Sequence, residues 1–100
     1  MKLIDMGDAL HELRDVFGID GTDVMLLSDF ARAHAEKGET TIMSFIDGFM
    51  GASQATTHAR IKKLCDKKFL KKVDMEGNLR YKTLDKGSEY NRLIKYLEKL

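Results

Sequence analysis

Gln54, Ala55, His58, Ala59 and Lys62 recur at the three- and four-residue spacing of one helix face, while Thr57, Ile61, Leu64 and Cys65 share the opposite one. The apolar set predicts the buried side of a helix running from Ser53 to about Lys67, so the first set points outward. Its chemistry suits the edges of base pairs. A glutamine amide makes a bidentate contact to adenine, an alanine touches a thymine methyl, and an imidazole or ammonium donates to the acceptors of guanine. The small alanines let such a helix approach a groove closely. Ser53 stands where an N-cap belongs, and it and Thr56 suit capping or phosphate binding better than base reading.

A basic hairpin follows. Phe69, Lys71 and Val73 alternate with Leu70, Lys72 and Asp74, and on the return Leu79, Tyr81 and Thr83 alternate with Arg80, Lys82 and Leu84. That period predicts two half-buried strands turned at Glu76-Gly-Asn78. Lys71, Lys72, Arg80 and Lys82 are placed to follow a nucleic-acid backbone, although two of them fit equally well as edge lysines that discourage strand pairing.

These elements need a frame. Ile42, Phe45, Ile46 and Phe49 predict a short helix over 41–49, with Met50-Gly51-Ala52 as a turn into the outward-reading helix. Two helices, a tight turn and a hairpin over residues 40–84 make a winged helix-turn-helix, a DNA-reading shape. Ahead of it, Leu3, Met6, Leu10, Leu13 and Phe17 form a narrow apolar stripe on a helix ended by Gly18-Ile-Asp-Gly21. Thr22 is placed to cap the next helix, which runs to about Lys37 with Leu26, Leu27, Phe30, Ala31 and His34 on one face. Asp85 or Thr83 is placed to cap a last helix carrying Tyr90, Leu93, Ile94, Leu97 and Leu100. The fold class expected is thus α+β, mainly helical, one domain over 1–100 with flanking terminal helices at 1–18 and 85–100. Pairing those two helices across a two-fold axis would bury Leu3, Met6, Leu10, Leu13, Phe17, Tyr90, Leu93, Leu97 and Leu100 in a homodimer interface.

Charge is distributed to match. Residues 1–52 carry 4 Lys/Arg against 10 Asp/Glu, whereas residues 53–86 carry 10 against 4, in a chain of net charge +1. A near-neutral protein with a confined basic segment has a local anion-binding face and not general stickiness. Its acidic residues are spread along helices, as a solvated surface or an acidic counter-face. His11, His34 and His58 fall on different predicted helices with no carboxylate or cysteine at ligand spacing, so no metal, cofactor or enzyme activity is expected. Cys65 reads as a small buried hydrophobe rather than a redox sensor, and a single cysteine makes no internal disulfide. No apolar run approaches a membrane span and no signal peptide opens the chain, so the expected location is cytoplasmic.

In element order nearly the whole chain resembles the MarR family of winged-helix transcriptional regulators. The best local match is Gly51-Ala-Ser-Gln-Ala-Thr-Thr-His-Ala-Arg-Ile-Lys-Lys-Leu-Cys-Asp-Lys-Lys-Phe-Leu70, which looks like that family's recognition helix and the entry to its first wing strand. The wing departs from the family's Asp-x-Arg, since Asp74-Met-Glu76 is followed by Gly77-Asn-Leu-Arg80, with Arg80 as the substitute; the family's Leu-Thr stands reversed as Thr83-Leu84. The resemblance implies a homodimer that binds double-stranded DNA at a pseudo-palindromic operator and represses transcription. It names no operator and no small-molecule effector. The same shape also serves protein-binding modules and monomeric replication or plasmid-maintenance proteins. Duplex binding and mass in solution separate these readings.

Overall fold

In a computed structural model, which describes residues 2–37, 40–41, 53–75 and 78–100, the chain forms a mainly helical α+β fold. The first helix, α1 (Leu3–Glu12), continues as a π-helical segment (Leu13–Phe17) and stops at Gly18, whose φ of 69° is the left-handed conformation that glycine adopts without a Cβ penalty. Helix α2 (Gly21–Lys37) is capped by Asp20 and not by Thr22. Asp20 Oδ1 accepts the Asp23 amide at 2.9 Å, and Asp23 Oδ2 accepts the Asp20 amide at 3.1 Å. This reciprocal pair closes two of the donors left over in the first turn, which one threonine hydroxyl does not.

Strand β1 is only Thr40–Thr41. It replaces the start of the helix expected from Thr41, because the extended backbone of this β-branched pair finds ladder partners on a third strand. The expected helix over 42–49 and the turn at Met50-Gly51-Ala52 lie outside the described residues. Helix α3 (Gln54–Asp66) leads directly into strands β2 (Leu70–Met75) and β3 (Asn78–Leu84). The sheet is antiparallel in the order β1-β3-β2, so the strand holding Lys82 is central, not at an edge. Helix α4 (Ser88–Glu98) closes the chain. Its N-cap is Gly87, without a side-chain cap bond, and neither Asp85 nor Thr83 takes that position.

The core is one cluster. Leu26, Leu27 and Phe30 of α2 meet Ile61 and Leu64 of α3, Phe69, Leu70 and Leu84 at the hairpin base, and Leu93 of α4. Strict alternation fails at that base: Phe69 and Leu70 are both buried, as are Lys82, Thr83 and Leu84, because the chain packs on both faces of the sheet there. The terminal stripes also divide. Leu13, Phe17 and Leu93 belong to the chain's own core, and Tyr90 and Leu97 pack against it, whereas Leu3, Met6, Leu10 and Leu100 are exposed. Phe17 is further held by Tyr96, at 5.8 Å between ring centroids, and by the Arg92 guanidinium, 5.2 Å above its ring.

Candidate nucleic-acid interface

Helix α3 is fixed before it can present anything. Ser53 caps it, its Oγ accepting the Thr56 amide at 3.2 Å and donating to Thr56 Oγ1 at 3.0 Å, so both hydroxyls serve the helix terminus. At the other end Lys68 takes a left-handed φ of 71°; the Phe69 amide donates to the Leu64 carbonyl at 2.9 Å and the Lys68 amide to Cys65 at 3.1 Å. These are the two bonds of a Schellman turn, and they aim the chain straight from α3 into β2. The buried face consists of Thr57, Ile61 and Leu64.

A charged clamp holds the flank. Asp23, on the first turn of α2, is 0% exposed and accepts Arg60 at 3.0 Å through Oδ1 and the Lys63 ammonium through Oδ2. Arg60 also reaches both carboxylate oxygens of Asp20, at 3.0 and 3.1 Å. The Asp20 hydrogen bond raises the Arg60 guanidinium further above its ordinary value; burial opposes this and Asp23 adds to it. Burial pushes the Asp20 carboxyl up, but the Asp23 amide, Arg60 and Lys63 together hold it below the usual carboxylate range. The acidic first half is therefore partly a counter-charge for α3 and not only a solvated surface. Periodicity missed this network because its partners stand 37 to 40 residues apart.

What α3 turns outward is Ala55, His58, Ala59 and Lys62, all exposed, with Ser53 and Thr56 exposed at its start. Lys71 and Lys72 of β2 are exposed too, Lys72 on the sheet face that meets α3 and Lys71 on the opposite face. The side chains of Gln54 and Arg80 lie outside the described part of the structure. Lys82 needs correction as a backbone-following residue: at 6% exposed it belongs to the central strand and faces inward.

Lys82 faces a crevice of about 210 Å³ between α3 and the hairpin, where it meets Cys65, Lys72, His58, Lys62 and Asp66. Cys65 is half-buried at this crevice and does not join the core cluster fully. Burial raises its thiol pKa, with Asp66 adding to the shift and Lys82 and Lys72 opposing it. No family model, curated protein or solved structure matches the chain.

The exposed side chains of α3 and β2 offer hydrogen-bond donors and positive charge. Among the described residues, no group of three or more His, Cys, Asp or Glu side chains could hold a metal ion. No helix among them is long and apolar enough to cross a membrane.

Proposed function

We propose that this protein is a winged helix-turn-helix regulator, similar to the MarR family, that binds double-stranded DNA in the cytoplasm and represses transcription as a homodimer without an enzymatic activity of its own. The observation that carries the reading is the exposed face of α3. Ala55, His58, Ala59 and Lys62 project from a helix whose other sides are locked by Thr57, Ile61 and Leu64 and by the Asp20, Asp23, Arg60 and Lys63 clamp. A helix held this firmly loses little further freedom on docking, which favours groove binding. Two alanines keep the approach close, and His58 and Lys62 supply donors for base acceptors. The β2–β3 hairpin directly after such a helix, with β1 from ahead of the helix paired to β3, is the arrangement expected of a wing. Lys71 and Lys72 would then lie along the sugar-phosphate backbone. The homodimer draws support from α1, which exposes Leu3 (86%), Ile4 (76%), Met6 and Leu10 among the described residues.

Selection of bound fragments from random duplex DNA, followed by titration of the preferred site, tests the reading. His58→Ala should cost about 1 to 3 kcal/mol on the preferred site and little on random duplex, as expected for a base-edge contact. Lys71→Ala should weaken both and reduce the salt slope by about one unit. A protein that binds no duplex at moderate salt would instead be an interaction module.

A further inference from the structure

Gly7 stands in the interior of α1, where glycine is the poorest helix former after proline. Nothing in the chain's own fold calls for it. Its backbone is ordinary right-handed helix, so no left-handed conformation requires it, and among the described residues no atom lies within 4 Å of where a Cβ would stand. Its neighbours on the helix surface are Leu3 and Ile4, four and three residues before it, and Leu10 and His11, three and four after it. Leu3, Ile4, Met6 and Leu10 are all exposed, the last two at 48% and 42%. Asp5 and Glu12 lie on the opposite side of the helix and Asp8 at the edge of this face, so the acidic charge of α1 stays clear of its centre. A small residue that costs helix stability, placed amid exposed apolar side chains, marks a point where something outside the chain approaches closely.

We propose that this face is the two-fold contact of the homodimer, in which α1 crosses α1 of a second copy, antiparallel, with Gly7 against Gly7. The proposal rests on the homodimer of the functional reading and names its surface. The sequence about Gly7 is self-complementary, as a contact between identical patches must be. An antiparallel crossing there sets Ile4 of each copy against Leu10 of the other, and Leu3 against His11. With no side chain at the crossing, the helix axes can approach to about 8 Å, the short end of the range for packed helices. A lipid surface is the poorer occupant, because residues 2–12 set Asp5, Asp8 and Glu12 against Lys2 alone, whereas a helix lying on a membrane relies on Lys and Arg. Four partly exposed side chains per copy bury on the order of 500 Å² in all, below the roughly 1,200 Å² of a tight complex. The contact is therefore weak, effective at micromolar concentration or where two copies share one duplex.

Gly7→Leu separates a contact from a merely helical role. Leucine is the better helix former and meets open space within one chain, so the thermal midpoint at high dilution should not fall. At the crossing it holds the axes apart, and sedimentation equilibrium should show the dimer dissociation constant raised at least about tenfold. Gly7→Cys in a Cys65→Ala background, which removes the chain's single cysteine, tests placement without relying on affinity. Axes about 8 Å apart bring the two position-7 Cα atoms to within about 5 Å, inside the roughly 4.4 to 6.8 Å that a disulfide spans. Oxidised glutathione should then convert that variant to a covalent dimer, whereas Asp5→Cys in the same background, on the far side of α1, should stay monomeric. Gly7→Leu that dimerises as tightly as the unmodified chain, with no cross-link through Gly7→Cys, overturns the crossing and leaves a homodimer through another surface. An unmodified chain that is monomeric at about 100 μM, again with no cross-link, overturns the crossing and the homodimer together. Gly7→Cys, the smaller change, keeps the test valid should Gly7→Leu not fold.

Discussion

Replacing Asp23 with asparagine removes the charge at the centre of the α2–α3 clamp while keeping its volume. One carboxylate oxygen becomes an NH2 group, which must face either the Arg60 guanidinium or the Lys63 ammonium and can accept from neither. Each charge-assisted bond is worth about 1.5 to 3 kcal/mol. Part of that is recovered, because the Lys63 side chain is 37% exposed to water and Arg60 keeps its two bonds to Asp20. The Asp20 amide also loses a charged acceptor or faces a donor. Together these give a loss of about 2 to 3 kcal/mol, a large share of the roughly 5 to 15 kcal/mol that stabilises a small domain. Urea unfolding followed by circular dichroism should show a lower midpoint at unchanged slope, and the thermal midpoint should fall by about 10 to 20 °C. A double-mutant cycle with Arg60→Met should return a coupling above about 1 kcal/mol. Glu89→Gln, at the exposed pair with Arg92, should cost less than about 0.5 kcal/mol and serves as the control. If Asp23→Asn costs no more than that control, the clamp does not hold α3 and the argument for its rigid presentation is lost.

Acid stability should depend on Asp20. Its carboxyl titrates below the ordinary value of 3.8 in the folded chain, so its stabilisation is complete above that value and disappears as pH falls through the lower folded pKa; Asp20→Asn should flatten the acid limb of a pH series of urea midpoints. At the proposed dimer contact, Leu3→Asp combined with Met6→Asp should give a folded monomer by sedimentation, while Leu93→Asp, which charges the core, should unfold the chain. A double variant that still sediments as a dimer would remove α1 from the interface. Lys68→Gly should gain about 0.5 to 1 kcal/mol by relieving the left-handed backbone after α3, and a loss in urea unfolding would contradict that conformation.

The elements that residue spacing made legible are those with long periodic faces. The Leu26, Leu27 and Phe30 face of α2 and the Thr57, Ile61 and Leu64 face of α3 are buried as their period requires, and the alanines, His58 and Lys62 fall outside as the complement. Strand β1 was not legible, because two residues carry no period and its partners on β3 are some 40 positions away. The cap of α2 had a local signature in Asp20-Gly-Thr-Asp23, a carboxylate followed three residues later by another, but Thr22 stood closer to the apolar run. The terminal stripes show a different limit. Spacing places Leu3, Met6, Leu10, Leu13 and Phe17 on one line, yet only contacts with Phe69 and Tyr96 decide that Phe17 turns into the core while Leu3 stays outside.

The same distinction applies to charge. The excess of cations in residues 53–86 first suggests a single footprint for an anionic partner, but the structure divides it into layers. Arg60 and Lys63 are directed back into the molecule, neutralising Asp20 and Asp23 of the acidic half. Lys82 is enclosed in the crevice. Among the described side chains of this segment, Lys62, Lys68, Lys71, Lys72 and Lys86 remain exposed. The contrast between an acidic and a basic half is therefore in part cohesion between α2 and α3, and only the remainder can serve a partner. With a slope of about 0.9 per phosphate neutralised, those exposed lysines bring the salt dependence of duplex binding to at most about four or five units per protomer before Arg80 contributes. A basic segment read from sequence thus overstates its surface charge by the number of cations the fold uses internally, and that number is fixed by which carboxylates lie across the core.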